Sequence, residues 1–280
     1  MSLGEILSFA FIQRAILAGS LIAAVCSILG VFLVLRRMSL IGDGLAHTTF
    51  GSVAVVLLLG ASPLYVTLAA LPLVLISSLA ILKLTSSKKI FGDAAIGVVS
   101  SIGIAAGIVL ASLSGGYNVD LFSYLFGNIL TVNQTELLLS LVVFAVVAGS
   151  VIFFYQDLFA VTFDEELARS MGIKTNRINI ILFLLTAVAA VLAMKVTGIM
   201  LVSAMLILPP LTALQLTVSF KATIAVSAVF SVLSVICGII FSFMLNIPAG
   251  GTIVICNVLF LFISFVIRKI LPAANSQLIN

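Results

Sequence analysis

The chain has 280 residues, 63% of them hydrophobic and only 8% charged, with a mean hydropathy of +1.41 and a formal net charge of +4. A water-soluble domain is about 45–50% apolar and about 25% charged, and 13 basic plus 9 acidic side chains cannot cover a globule of this length, so the solvent is lipid. The basic residues are scattered between apolar runs, as at membrane flanks, which excludes a nucleic-acid surface.

Met1 to Arg14 is predicted to be an interfacial lead-in, with Leu3, Ile6, Leu7, Ala10 and Phe11 on one side. It lacks the short apolar core and small-residue cleavage site of a signal peptide. A crossing of the hydrocarbon needs about 20 apolar residues. Candidate spans follow at 15–35, 39–59, 64–82, 94–113, 136–155, 178–194, 197–217, 222–245 and 252–267. They are separated at Arg36-Arg37, Ala61-Ser62-Pro63, Thr85 to Lys89, Gly115 to Asn118 and Asn246-Ile247-Pro248. Pro209 and Pro210 must break or kink the 197–217 stretch, so the expectation is eight or nine spans.

The fold class is therefore all-α, a polytopic membrane helix bundle. Residues 1–14 form the interfacial segment, 15–267 the transmembrane domain and 268–280 a C-terminal tail. With the N-terminus outside, Arg36, Arg37, Lys83, Lys88, Lys89, Arg169, Lys174, Arg177, Lys221, Arg268 and Lys269 fall inside, and only Arg14 and Lys195 fall outside. The longest polar interval, Gln156 to Arg177, reads as a loop. Cys26, Cys237 and Cys256 all lie in apolar runs without CxxC spacing, so they read as small apolar filler and not as a zinc or disulfide framework. The sequence carries no Walker A loop or other nucleotide signature.

The sharpest chemical feature is Gly42-Asp43-Gly44-Leu45-Ala46-His47 in the second span. Asp43 and His47 stand at i and i+4, on one helix face. An ionisable group at such depth costs at least about 2.5 kcal/mol without a partner or water. Carboxylate oxygen and imidazole nitrogen suit a divalent first-row metal; the same pair also suits proton handling, or a mutual hydrogen bond. Gly42, Gly44, Ala46 and Gly51 strip bulk from the same helix, so another helix or an ion can approach closely.

Further on, Val119 to Leu130 is an outer aromatic segment in which Asp120 could attract cations at a mouth. In Phe163 to Ile173, Asp164 is placed to cap a short helix, Glu165 and Glu166 to favour its first turn and Gly172 to end it. Such a helix is either a simple connection or a surface for a cytoplasmic partner.

Six stretches in this order resemble the metal-ion permease family of ABC importers, whose members carry zinc, manganese or iron. They are Leu35 to His47, Asp120 to Leu130, Glu166 to Gly172, Ala193 to Gly198, Leu206 to Pro210 and Pro248 to Gly251, and the resemblance covers roughly residues 15–267. It implies a permease that is not itself an enzyme and has no structural cofactor. It also implies a homodimeric pathway in the cell membrane, two cytoplasmic ATP-binding subunits, an extracytoplasmic metal-binding protein and surrounding lipid. Asp43 and His47 fall at the positions associated with the metal path. The segment with Asp164, Glu165, Glu166, Ala168 and Gly172 corresponds to the helix that docks into the ATPase.

Many relatives continue with a proline-containing turn where this chain has Thr48-Thr49-Phe50-Gly51. That departure leans toward the zinc-type branch. Two symmetry-related chains would offer two oxygens and two nitrogens, enough for four-coordinate zinc; manganese or iron would draw more oxygen from water. The alternatives from other classes are an ion-coupled secondary carrier and an intramembrane metalloenzyme. A metalloenzyme needs further ligands and a base, which a single histidine disfavours.

Overall fold

A computed structural model describes residues 9–60, 66–86, 92–113, 132–199 and 202–270. Among these residues the chain forms eleven helices and no strand. They are α1 (Ala10–Leu35), α2 (Ile41–Leu58), α3 (Val66–Thr85), α4 (Gly92–Leu113), α5 (Gln134–Phe153), α6 (Tyr155–Phe163), α7 (Glu165–Ser170), α8 (Thr175–Thr197), α9 (Val202–Leu216), α10 (Phe220–Leu245) and α11 (Ala249–Ile270). Helices are what lipid demands of a spanning chain, because each satisfies its own backbone groups. Eight of them are long and apolar enough to cross a membrane, the lower of the two expected numbers.

The ninth apolar stretch divides. Gly198, at φ +83°, ends α8, and α9 that follows has 15 residues, about 22 Å at 1.5 Å per residue against a hydrocarbon core of about 30 Å. Other boundaries moved by a turn or less, except the start of α1, which lies five residues earlier than expected. α1 begins at Ala10, so the end of the expected lead-in is continuous with the first span, and Arg14 Nε donates to the Ala10 carbonyl at 3.2 Å. α5 begins at Gln134 behind a capping box, in which Asn133 accepts from the Glu136 amide and the Glu136 carboxylate accepts from the Asn133 amide. The interval expected as a loop, Gln156 to Arg177, instead holds most of α6, all of α7 and the start of α8.

α1, α2 and α8 form the buried centre, and α4, α5, α10 and α11 leave much of their surface outward. Ile152, Phe153, Leu113 and Phe262 are among the large apolar side chains exposed there. α1 packs on α10, α9, α5 and α8, while α2 packs on α4, α3 and α8. Cys26 and Cys256 are buried as apolar filler.

Backbone contact replaces bulky packing at the α1–α9 crossing. Pro209 and Pro210 have no N–H, so the carbonyls of Met205 and Leu206, four residues earlier, lose their helical donors. At Gly30, a Cβ would collide with the Leu206 carbonyl oxygen and lie 2.9 Å from Pro210 Cγ. Gly97, by contrast, has nothing within 4 Å of where its Cβ would stand. In thermal melts of detergent-solubilised protein followed by circular dichroism, Gly30→Ala is expected to lose about 1–3 kcal/mol through overpacking. Gly97→Ala should melt at or above wild type, gaining up to about 1 kcal/mol of helix propensity; equal behaviour of the two variants would contradict this account of the crossing.

Candidate functional site

α2 positions the polar pair. Asp43 lies in its first turn, where a carboxylate complements the positive end of the helix dipole, and His47 follows one turn later. His47 Nε2 stands 3.5 Å from Asp43 Oδ1, longer than the about 2.7–2.9 Å of a charge-assisted N–H···O bond. The His47 side chain is 17% exposed and that of Asp43 45%, whereas Gly42, Gly44, Leu45, Ala46, Thr48 and Thr49 around them are buried. The pair therefore lies on the side of α2 that this chain's own helices leave uncovered.

Neighbouring hydroxyls are satisfied within the helix. Thr48 and Thr49 donate to the Leu45 carbonyl at 3.0 and 2.6 Å, and Ser52 donates to the Thr48 carbonyl at 2.8 Å. The small residues of α2 admit its neighbours. A Cβ on Gly42 would meet Leu206 Cδ1 at 2.5 Å and Ser203 Cα at 3.3 Å, and one on Gly44 would meet Ile96 Cγ2 at 2.7 Å. Gly51 faces the Gly103 carbonyl of α4. Reciprocally, a Cβ on Gly103 would stand 2.7 Å from both the His47 carbonyl oxygen and Thr48 Cα. α4 and α9 thus hold the α2 backbone from two sides and fix the direction of the Asp43–His47 face.

The second group of expected residues builds α7. Asp164 Oδ1 accepts from the Leu167 amide at 2.9 Å, an N-cap. At the other end Gly172 takes φ +88°; its amide donates to the Arg169 carbonyl and that of Ile173 to the Ala168 carbonyl, both at 3.1 Å. This is the two-bond helix stop that a left-handed glycine permits. Ala168 is buried against the bundle, and Glu166, Leu167 and Met171 are exposed. Asp120 and the segment around it lie outside the described residues.

The structure separates the two acids that sequence placed together. Glu166 faces out, but Glu165 Oε2 accepts from Arg36 Nη2 at 3.2 Å and its Oε1 from Asn179 Nδ2 at 3.1 Å. Burial pushes the Arg36 guanidinium down from its ordinary value, and the Glu165 carboxylate beside it opposes that shift. Asn179 and Gly103 were not singled out from sequence, and Arg36 only as a boundary charge between the first two spans. Among the described residues no group of three or more His, Cys, Asp or Glu side chains is placed to hold a metal.

A family model described as the ABC 3 transport family matches residues 8–268. The chain is 36% identical over 251 residues to the manganese transport system membrane protein MntC of Halalkalibacterium halodurans, covering 90% of this chain and 85% of that one. It is 31% identical to the high-affinity zinc uptake system membrane protein ZnuB of Haemophilus influenzae, covering 93% and 98%. Among solved structures, PsaBC from Streptococcus pneumoniae in complex with Fab superposes with a TM-score of 0.85 at 32% identity, covering 96% of this chain and 97% of that chain.

The contact between Gly103 and the His47 turn makes its own demand. Gly103→Ala forces two backbones apart and is expected to cost about 1–3 kcal/mol. Hydrogen exchange measured by mass spectrometry should show faster exchange in residues 47–51 and unchanged exchange in α10. Unaltered protection of 47–51 would mean that α4 does not hold this turn.

Proposed function

The chain belongs to the ABC 3 transport family of metal-ion permeases, and from that premise we propose that it forms the ion pathway of an ATP-driven importer, with Asp43 and His47 as ligands to the passing divalent metal. One observation carries the reading. A carboxylate 45% exposed on its own bundle lies within a membrane-spanning helix, and lipid is no place for it. Even in the first turn of such a helix, about 3 Å from its start at 1.5 Å per residue, a charge faces a partner, water or an ion. Two ligands of a tetrahedral ion, each about 2.0–2.1 Å from it, stand about 3.3 Å apart, and Oδ1 and Nε2 are 3.5 Å apart.

One chain supplies two ligands, and structural or catalytic sites for such metals use three or four. A second copy of the chain across a twofold axis would double the set and would cover the face that α2 leaves open. A pathway site of few ligands also releases its ion readily, as transport requires. The exposed Leu167 of α7 and Met171 that caps it, beside the exposed Glu166 and Arg169, support a docking role for Asp164 to Gly172 on an ATP-binding subunit. In that role Asp164 and Gly172 shape the helix, Glu165 and Ala168 seat it, and Glu166 faces the partner. An extracytoplasmic metal-binding protein would deliver the ion. Asp120 is proposed as a cation-attracting residue at the outer mouth.

The cargo is a divalent transition metal. A site of one oxygen and one nitrogen per chain binds zinc more tightly than manganese, which is the chemical argument for zinc. The relative named as a manganese transport protein, at 36% identity, favours manganese as the second reading.

In proteoliposomes holding the complete complex, Asp43→Ala and His47→Ala are each expected to reduce metal uptake to that of vesicles without the complex, with assembly intact. Wild-type uptake by either assembled variant would remove the residue from the pathway. Competition between zinc and manganese at matched free concentrations decides the cargo. Preferential zinc uptake is expected; preferential manganese uptake would overturn the zinc reading and leave the permease reading in place.

A further inference from the structure

A helix that only docks on a partner needs no acid turned back into its own protein. Yet the Glu165 carboxylate is directed inward, onto Arg36 and Asn179, and it also reaches Arg169 Nη2 of its own helix at 3.5 Å. The Arg36 side chain is only 7% exposed. A guanidinium so buried needs its partner, since a lone buried charge costs several kcal/mol. One carboxylate thus joins three helices: α7 itself, the second turn of α8 through Asn179, and the end of α1 through Arg36.

Arg36 is more than an anchor. It is the cap of α1 and the first residue of the turn that leads into α2. Arg37 beyond it holds φ +57°, a left-handed conformation that costs a non-glycine residue about 1–2 kcal/mol. Its amide donates to the Val34 carbonyl at 3.0 Å, and that of Met38 to the Leu33 carbonyl at 2.9 Å. The Met38 carbonyl then accepts from the Ile41 amide at 3.2 Å, at the start of α2. Asp43 lies in the turn that begins there. Each joint from α7 to Asp43 is therefore a hydrogen bond, an ion pair or a short run of fixed backbone. Among the described residues α7 packs mainly on α6 and α8, neither of which carries the Asp43–His47 pair.

We infer that Glu165 is a positioning residue that ties the docking helix to the metal-binding face through Arg36, so that movement of α7 is transmitted to Asp43 and His47. The inference rests on the reading of α7 as the ATPase-docking segment and of the pair as the ion's ligands. A displacement of α7 pulls Arg36, Arg36 moves the strained turn, and the turn reorients the first turn of α2. The strain at Arg37 lowers the cost of leaving the resting geometry.

The test measures metal ions moved per ATP hydrolysed by the reconstituted complex, using whichever of zinc and manganese the wild type carries faster. Arg36→Gln leaves Glu165 with Arg169 and Asn179; Glu165→Asp keeps the charge but falls one methylene short of Arg36. Each is expected to lower the ratio by about 5–150-fold, the usual range of a coupling between two sites. The double variant should be no worse than the worse single one, because both remove the same link. Arg36→Lys, which keeps a cation within reach, should recover most of the ratio.

A merely structural role would lower the amount of complex and leave the ratio unchanged. An unchanged ratio in Arg36→Gln and Glu165→Asp, or losses that add in the double variant, would overturn the inference. Glu166→Lys separates it from the docking reading. If that variant weakens assembly while the Arg36 and Glu165 variants keep the wild-type ratio, docking stands and the link falls. If it leaves assembly intact while those variants lower the ratio, the link stands and Glu166 is not at the docking face.

Discussion

Direct contact between helix backbones is the constraint on which the rest of this structure depends. Lipid gives no hydrophobic drive for one apolar helix to seek another, so association comes from tight fit and from polar contacts between helices. Here the fit is made where side chains are missing. Gly30 meets the Leu206 carbonyl, Gly51 and Gly103 lie backbone to backbone, and a Cβ on Gly238 would stand 2.7 Å from Ile253 Cα. Sparse polar bridges add to them: Ser78 Oγ donates to the Phe183 carbonyl at 2.9 Å, and Ser234 Oγ to Asn257 Oδ1 at 2.8 Å. The Asp43–His47 face inherits its direction from these contacts, since α2 cannot rotate without breaking the contact of Gly103 with His47 and Thr48.

That arrangement explains how a half-exposed acid is kept in a membrane protein. Burying Asp43 inside one chain would require a full set of donors, and the glycines around it have no side-chain donors to give. Leaving it on an open face defers its solvation to whatever covers that face. The polar face is thus left open on one chain, and a partner, water or an ion must complete it.

Much of this was legible in the sequence because it is encoded locally. Spans show as long apolar runs, the Asp43–His47 pair as two ionisable residues one helical turn apart, and α7 as an acid-led segment closed by glycine. The Asn133–Glu136 capping box was equally local, and its Asn-x-x-Glu pattern could have placed the start of α5 at residue 134. What could not be read was pairing at a distance. Arg36 and Glu165 are 129 positions apart, and nothing near either residue names the other. Gly103 looks like any glycine in an apolar run until α4 is laid on His47. The length of α9 also escaped, because hydropathy runs on through residues 197–217 while the backbone stops at Gly198.

The two prolines of α9 bear on how the protein is made. A segment that leaves the insertion machinery alone meets lipid on every side, and each backbone carbonyl without a donor then costs several kcal/mol. α9 has two such groups and is about a turn and a half too short to cross by itself. It cannot wait in the bilayer as an independent span. Its neighbours include α1, synthesised early, and α10 and α11, synthesised after it. Its final seat therefore forms only once the last two helices have emerged, which makes the C-terminal third of the chain a late, concerted step in biogenesis. Truncation before α11 would strand α9 in a solvent it cannot tolerate and expose it to the quality-control proteases of the membrane.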